Sequence, residues 1–212
     1  LRIIISILKI KEIYMDQTIN YYNLNAKNFI ENTQNADMHI PQNRFIRLLD
    51  EGASILDFGC GSGRDTKYFL EKGYDVTATD GSAELCKLAS AFSGVDVKEM
   101  LFQDLDAINV YDGIWACSSI LHLPKKDLSS VFWKMCSALK DNGIIYTSFK
   151  YGDFKGKRNG RYFTDFREDT FQEFIKEIPE LIVEEQWITS DVRPGRSEEK
   201  WLNLILCKGN IC

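Results

Sequence analysis

The sequence predicts an α/β fold, a doubly wound and largely parallel sheet within one domain. Three observations predict it. Residues 55–65, Ile-Leu-Asp-Phe-Gly-Cys-Gly-Ser-Gly-Arg-Asp, run from a short apolar strand through three alternate glycines into helical periodicity. From residue 54 onward strand-like and helix-like runs alternate, the pattern of parallel strands joined by crossover helices. Near the end two strand-like runs, 181–189 and 201–208, follow each other with no helix between, so they pair antiparallel.

The elements follow in order. Ile19, Tyr22, Ala26, Phe29 and Ile30 give an apolar face at helical spacing over 18–32, and Phe45, Ile46, Leu48 and Leu49 a second over 42–49. Strand one ends at Phe58, and Gly73 stops the helix after the glycine loop. Strand two covers 75–80, followed by a helix over 82–93 with Ser82 as N-cap and Glu84 in its first turn. Strand three covers about 95–101 and strand four 111–117. Leu128, Val131, Phe132, Met135 and Leu139 share one face of a helix over 127–139. Asn142-Gly143 reads as a turn into strand five, 143–149, and a helix over 170–178 precedes the last two strands.

Composition narrows the function. At 212 residues, 44% hydrophobic and 27% charged, the chain can bury a substantial core as one domain. A net charge of −5 argues against a large nucleic-acid footprint, which needs a basic face, so a small-molecule partner is expected. The six cysteines are scattered without a Cys-x-x-Cys pair, so no metal site is expected, and reduced thiols fit a cytoplasmic protein. The apolar run at 3–8 is too short for a membrane span or a signal peptide. Residues 1–14, ahead of Met15, are expected to be a non-native or dispensable extension, with 15–212 the single domain.

A strand, a glycine turn and a helix place a helix N-terminus at the carboxyl edge of the sheet, where a nucleotide-type cofactor binds. Gly59, Gly61 and Gly63 would let the backbone pass close beneath it. Asp80, at the end of strand two, has the spacing at which an acid takes ribose hydroxyls. Asp57, just ahead of the first glycine, puts a negative charge where a pyrophosphate would be repelled and an ammonium group attracted. Adenosine and an ammonium group together describe S-adenosylmethionine.

With these residues the sequence resembles the class I S-adenosylmethionine-dependent methyltransferases, of the small bacterial kind that includes tellurite-resistance-like enzymes. Residues 55–65 match the first motif of that family, Asp80 the second, and 111–117 with Leu121-His122 the fourth. The resemblance implies a Rossmann-like seven-stranded sheet of order 3-2-1-4-5-7-6, with strand seven antiparallel and the N-terminal helices over the cofactor. It also implies a monomer or homodimer that takes up S-adenosylmethionine and releases S-adenosylhomocysteine. Cofactor contacts are then expected from Tyr22 (or Tyr21), Asp57, Gly59, Cys60, Gly61, Gly63, Asp80, Gly81, Ser82, Ala116 and Cys117. For the adenine, Leu101 and Phe102 are one assignment and Gln103 and Asp104 the other.

Methyl transfer is an in-line displacement, so the protein mainly positions the acceptor and excludes water. His122 is the candidate catalytic residue, as a base or hydrogen-bond partner, against a structural histidine bonded to backbone. The segments 150–168 and 190–200 are rich in basic and aromatic residues. They form either a solvated surface or a cap in which Arg161, Arg193 and Arg196 hold an anionic acceptor. The rival functions are a nucleic-acid methyltransferase, which lacks its Asn/Asp-Pro-Pro-Tyr motif here, and a non-catalytic cofactor-binding module.

Overall fold

The computed structural model describes residues 17–209, with residues 2–16 entering only as the leading part of the first helix. The expectation for residues 1–14 lies outside the described residues. Two helices, α1 (Arg2–Thr33) and α2 (His39–Ile46), precede the sheet. Then come β1 (Ser54–Phe58), α3 (Arg64–Glu71), β2 (Asp75–Asp80), α4 (Ala83–Ser93), β3 (Lys98–Glu99) and β4 (Tyr111–Ala116). The second half comprises α5 (Lys125–Ala138), β5 (Leu139–Lys150), β6 (Lys155–Arg158), β7 (Arg161–Thr164), α6 (Glu168–Ile175), β8 (Leu181–Ser190) and β9 (Lys200–Lys208).

Seven strands form one sheet in the order β3-β2-β1-β4-β5-β9-β8. Only β9 runs against its neighbours. This is the expected Rossmann-like order, with β9 in the place of strand seven. Along β1 and β4 successive apolar side chains go to opposite faces, as the two-residue period of a strand requires. Ile55 and Trp115 join Phe45 of α2, Phe69 of α3 and Tyr146 of β5 on one face. Leu56, Phe58 and Ile114 join the faces of α5 and α6 on the other. Trp115 stacks on Tyr146 with centroids 4.0 Å apart, which ties β4 to β5 at the centre of the sheet.

The parallel strands β1, β2, β4, β5 and β8 all end at one edge of the sheet, so the segments after Phe58, Asp80, Ala116, Lys150 and Ser190 converge there. Two local expectations change. Strand three shrinks to Lys98–Glu99, because the chain leaves the sheet edge to put Phe102 edge-on against Phe58, 4.9 Å between ring centroids. The stretch 150–168, expected to be a loop, contains the β6–β7 hairpin, closed by Asn159 and Gly160 with φ of 52° and 78°. Two consecutive positive φ values match the turn that joins twisted strands with least distortion. Among the described residues no helix is long and apolar enough to cross a membrane.

Candidate active site

At the carboxyl edge lies a cavity of about 540 Å³, a usual size for a small-molecule site. Its floor is the glycine loop. The amides of Gly59 and Cys60 both donate to the Thr79 carbonyl at 2.9 Å, which folds the loop over the end of β2. Gly59 has φ +85°, and a Cβ there would lie 2.5 Å from that of Ser119. Only glycine fits. Gly63 also has positive φ, but a Cβ there would meet Ala89 of α4, so this glycine serves helix packing and does not line the cavity.

Asp80 is the acid at the cavity wall. One carboxylate oxygen accepts from the Gly61 amide and the other from the Ser82 amide, each at 2.9 Å. Burial raises its pKa, while the amides of Ser82, Gly61 and Gly81 oppose that rise. Four lone pairs exceed the amide donors, so the carboxylate keeps accepting capacity toward the cavity. A ribose hydroxyl requires such an acceptor. Ser82 itself lies beneath the wall, capping α4 by accepting from the Leu85 amide and donating to Asn23 of α1.

Asp57, expected to face the ammonium group, does not line the cavity. It is 2% exposed, and its carboxyl accepts from the Thr66 hydroxyl at 2.6 Å. Burial, and then the negative charge of Asp65, push its pKa up to about 8. The negative charge at the cavity wall belongs to Asp65, the second residue of α3. Burial alone would neutralise Asp65, but Arg64 holds it ionised through two bonds of 2.9 and 2.7 Å, with Trp115 and Gln42 also donating. Here the sequence reading missed the Arg64–Asp65 pair. The available signal was a charged pair directly after the last glycine, at a helix N-terminus facing the ligand edge.

Ten of the expected residues line the cavity: Tyr22, Gly59, Cys60, Gly61, Asp80, Gly81, Leu101, Phe102, Cys117 and His122. Ala116 does not, because it points into the core, and Cys117 and Ser118 take that side of the wall. Burial pushes the Cys117 thiol up to about 12, consistent with an inert wall residue. Of the two adenine assignments, Leu101 and Phe102 line the cavity, whereas Gln103 and Asp104 do not.

The roof consists of α1, the β6–β7 hairpin and the loop after β8. Thr18 of α1 accepts from the Tyr162 amide, and Lys157 donates to Gln17. All three expected arginines line the cavity, but their states differ. Arg193 is gripped by Asp191, with bonds of 2.8 and 2.5 Å. Arg196 lies 3.6 Å from Glu199. Arg161 has no carboxylate partner among the described residues. It donates to the Tyr22 hydroxyl at 3.2 Å, rests against the Tyr21 ring and leaves its Nε buried without a partner.

Known proteins place this geometry. Residues 55–143 match the model of a methyltransferase domain family. YqeM of Bacillus subtilis, named only as a candidate methyltransferase, is 29% identical over 130 residues, covering 54% of this chain and 53% of its own. A ubiquinone biosynthesis O-methyltransferase of Xanthomonas axonopodis pv. citri is 33% identical over 109 residues, covering 48% of this chain and 45% of its own. The chain thus spans about half the length of these curated relatives. The structure superposes on the Burkholderia thailandensis 1,6-didemethyltoxoflavin-N1-methyltransferase with a TM-score of 0.77 at 21% identity, covering 94% of this chain and 91% of that one. That structure was solved with its acceptor and S-adenosylhomocysteine bound. Residues 55–143 thus match a methyltransferase domain family, and the chain has the fold of the class I S-adenosylmethionine-dependent enzymes.

Proposed function

We propose that the chain is an S-adenosylmethionine-dependent methyltransferase acting on a small anionic molecule. The observation that carries this reading is the Asp80 carboxylate, which lines the cavity beside the glycine loop and is held there by backbone amides with accepting capacity to spare. Bound there, S-adenosylmethionine supplies an electrophilic methyl group. The chain's own part is to hold and to exclude. Asp80 takes the ribose hydroxyls through charge-assisted bonds, each contributing about 1.5–3 kcal/mol. Leu85, Leu101 and Phe102 offer the apolar walls for the adenine, and the Arg64–Asp65 ion pair sets a polar wall beside the place for the amino-acid end. The roof of α1 and the hairpin keeps water from the acceptor. Within this class, kinship with the tellurite-resistance-like enzymes rests on the first motif and names no acceptor.

Arg161 supports the anionic character of the acceptor. A guanidinium against aromatic rings with no carboxylate partner among the described residues is a receptor for a carboxylate or phosphate. Arg193 and Arg196 already have acidic partners and serve as wall. A screen of small carboxylates and phosphates, read by S-adenosylhomocysteine release, tests the reading. Arg161→Met should raise the acceptor's KM at least tenfold, with cofactor affinity unchanged. Arg193→Met should leave KM within about twofold. Turnover restricted to uncharged acceptors, or equal effects of the two changes, would refute the anionic assignment.

A further inference from the structure

His122 does not stand alone in the cavity. Its Nδ1 lies 2.7 Å from the Tyr162 carbonyl and its Nε2 lies 2.8 Å from the Tyr22 hydroxyl. A carbonyl only accepts, so Nδ1 carries the hydrogen and Nε2 presents its lone pair to the O–H of Tyr22. The Tyr22 oxygen in turn accepts from Arg161 at 3.2 Å and keeps one lone pair. Both Tyr22 and His122 line the cavity, and Phe163 holds the imidazole edge-on at 4.7 Å. A hydroxyl that donates to an imidazole, beside a cation without a carboxylate, can receive a proton on one side and release one on the other.

We infer that Tyr22 and His122 form a proton relay for an acceptor that is methylated on an N–H or O–H group and anchored by its anionic group at Arg161. This rests on the methyltransferase reading and adds the chemical class of the methylated atom. As the acceptor atom bonds to the methyl carbon, its N–H or O–H proton passes to the Tyr22 oxygen. The hydroxyl proton of Tyr22 passes to Nε2 of His122, and the Tyr22 O–H is restored. The imidazole becomes an imidazolium whose Nδ1–H still donates to Tyr162, and it returns the extra proton to water after product leaves. No other co-reactant is needed.

The surrounding charges couple the relay to the acceptor's charge. Burial lowers the His122 pKa to about 3; the bond to the Tyr162 carbonyl opposes this, and the positive charges of Arg161 and Arg158 add to it. Arg158 is paired with Asp165, so Arg161 is the cation beside the imidazole that has no carboxylate partner among the described residues. An anion bound at Arg161 cancels that charge and makes His122 a stronger base. An uncharged acceptor leaves the relay idle.

The chain contains two histidines, so nitrogen-15 NMR of histidine-labelled protein resolves the question without turnover. His39→Asn assigns the two imidazoles. In the otherwise intact chain His122 should be neutral near pH 7 with its hydrogen on Nδ1. Excess sodium benzenesulfonate, a probe anion that stays ionised in acid, should raise its protonation midpoint by about one unit or more. Arg161→Met should abolish that rise. Tyr22→Phe should keep the Nδ1–H tautomer and move the Nε2 signal toward that of an unbonded imidazole nitrogen. With any acceptor found by the screen, the same change should lower kcat at least a hundredfold for N–H or O–H acceptors, the usual scale of acid–base assistance. A hydrogen on Nε2, a midpoint unmoved by benzenesulfonate, or a rise that survives Arg161→Met would overturn the relay. None of the NMR readouts involves the cofactor, so the relay can fail while cofactor binding stands, and the reverse.

Discussion

Replacing Asp57 by asparagine should change how stability depends on pH more than it changes stability itself. Asp57 is buried against Asp65, and its carboxyl is held near a pKa of about 8, first by burial and then by that neighbouring charge. In the unfolded chain an aspartate titrates near about 3.9. The native state therefore keeps a proton that the unfolded state has released. This contribution is fully present below about pH 4 and is lost as pH rises through about 8. Each pH unit inside that window costs at most about 1.4 kcal/mol, so the loss between about pH 5 and pH 8 is on the order of 3–4 kcal/mol. Asp57→Asn keeps an oxygen to accept from Thr66 and carries no titrating proton. Urea denaturation of both proteins across that range measures the difference, because groups that do not interact with Asp57 cancel. The variant's stability relative to the parent should climb with pH by about that amount. A difference that stays flat would show that Asp57 is ionised in the fold and that the pairing with Asp65 is misread.

Two further substitutions probe the supports of the site. Ser82→Ala removes the N-cap of α4 and the tie to Asn23, and should cost about 1 kcal/mol, seen as a melting temperature lower by about 2–4 °C. Gly160→Ala forces a side chain into the left-handed region at φ +78° and brings Cβ to 3.0 Å from the Tyr21 ring. It should raise the acceptor's KM several-fold while calorimetry with S-adenosylhomocysteine shows unchanged affinity; an equal loss of both would mean that the hairpin supports the cofactor side.

The order of the sheet was legible because each crossover leaves a local trace: an apolar strand, a turn and an amphipathic helix. The place of Asp80 at the cavity wall was legible for the same reason, since it closes a strand at a fixed distance from the glycine loop. The surroundings of Asp57 were not, because spacing reports a residue's place along the chain and not the nearby charge of Asp65, eight residues later and across a turn. The state of the arginines was equally hidden. Arg161, Arg193 and Arg196 look alike as a sequence, and only folding shows that Asp191 occupies one, Glu199 lies near another and Arg161 is left to the aromatic rings. The hairpin could have been read. Asn159-Gly160 is a strong short-range turn signal, but it sat among so many charges that the segment resembled a solvated loop.

Calorimetric titration of the intact chain and of Asp80→Asn with S-adenosylhomocysteine tests the central claim most directly. The substitution keeps the side chain's size and removes the charge that the ribose hydroxyls would bond. The intact chain should bind, and the variant should bind about ten- to a hundredfold more weakly, the loss of one to two charge-assisted bonds. No binding by the intact chain, or equal affinity in the variant, would contradict the assignment of this cavity to S-adenosylmethionine.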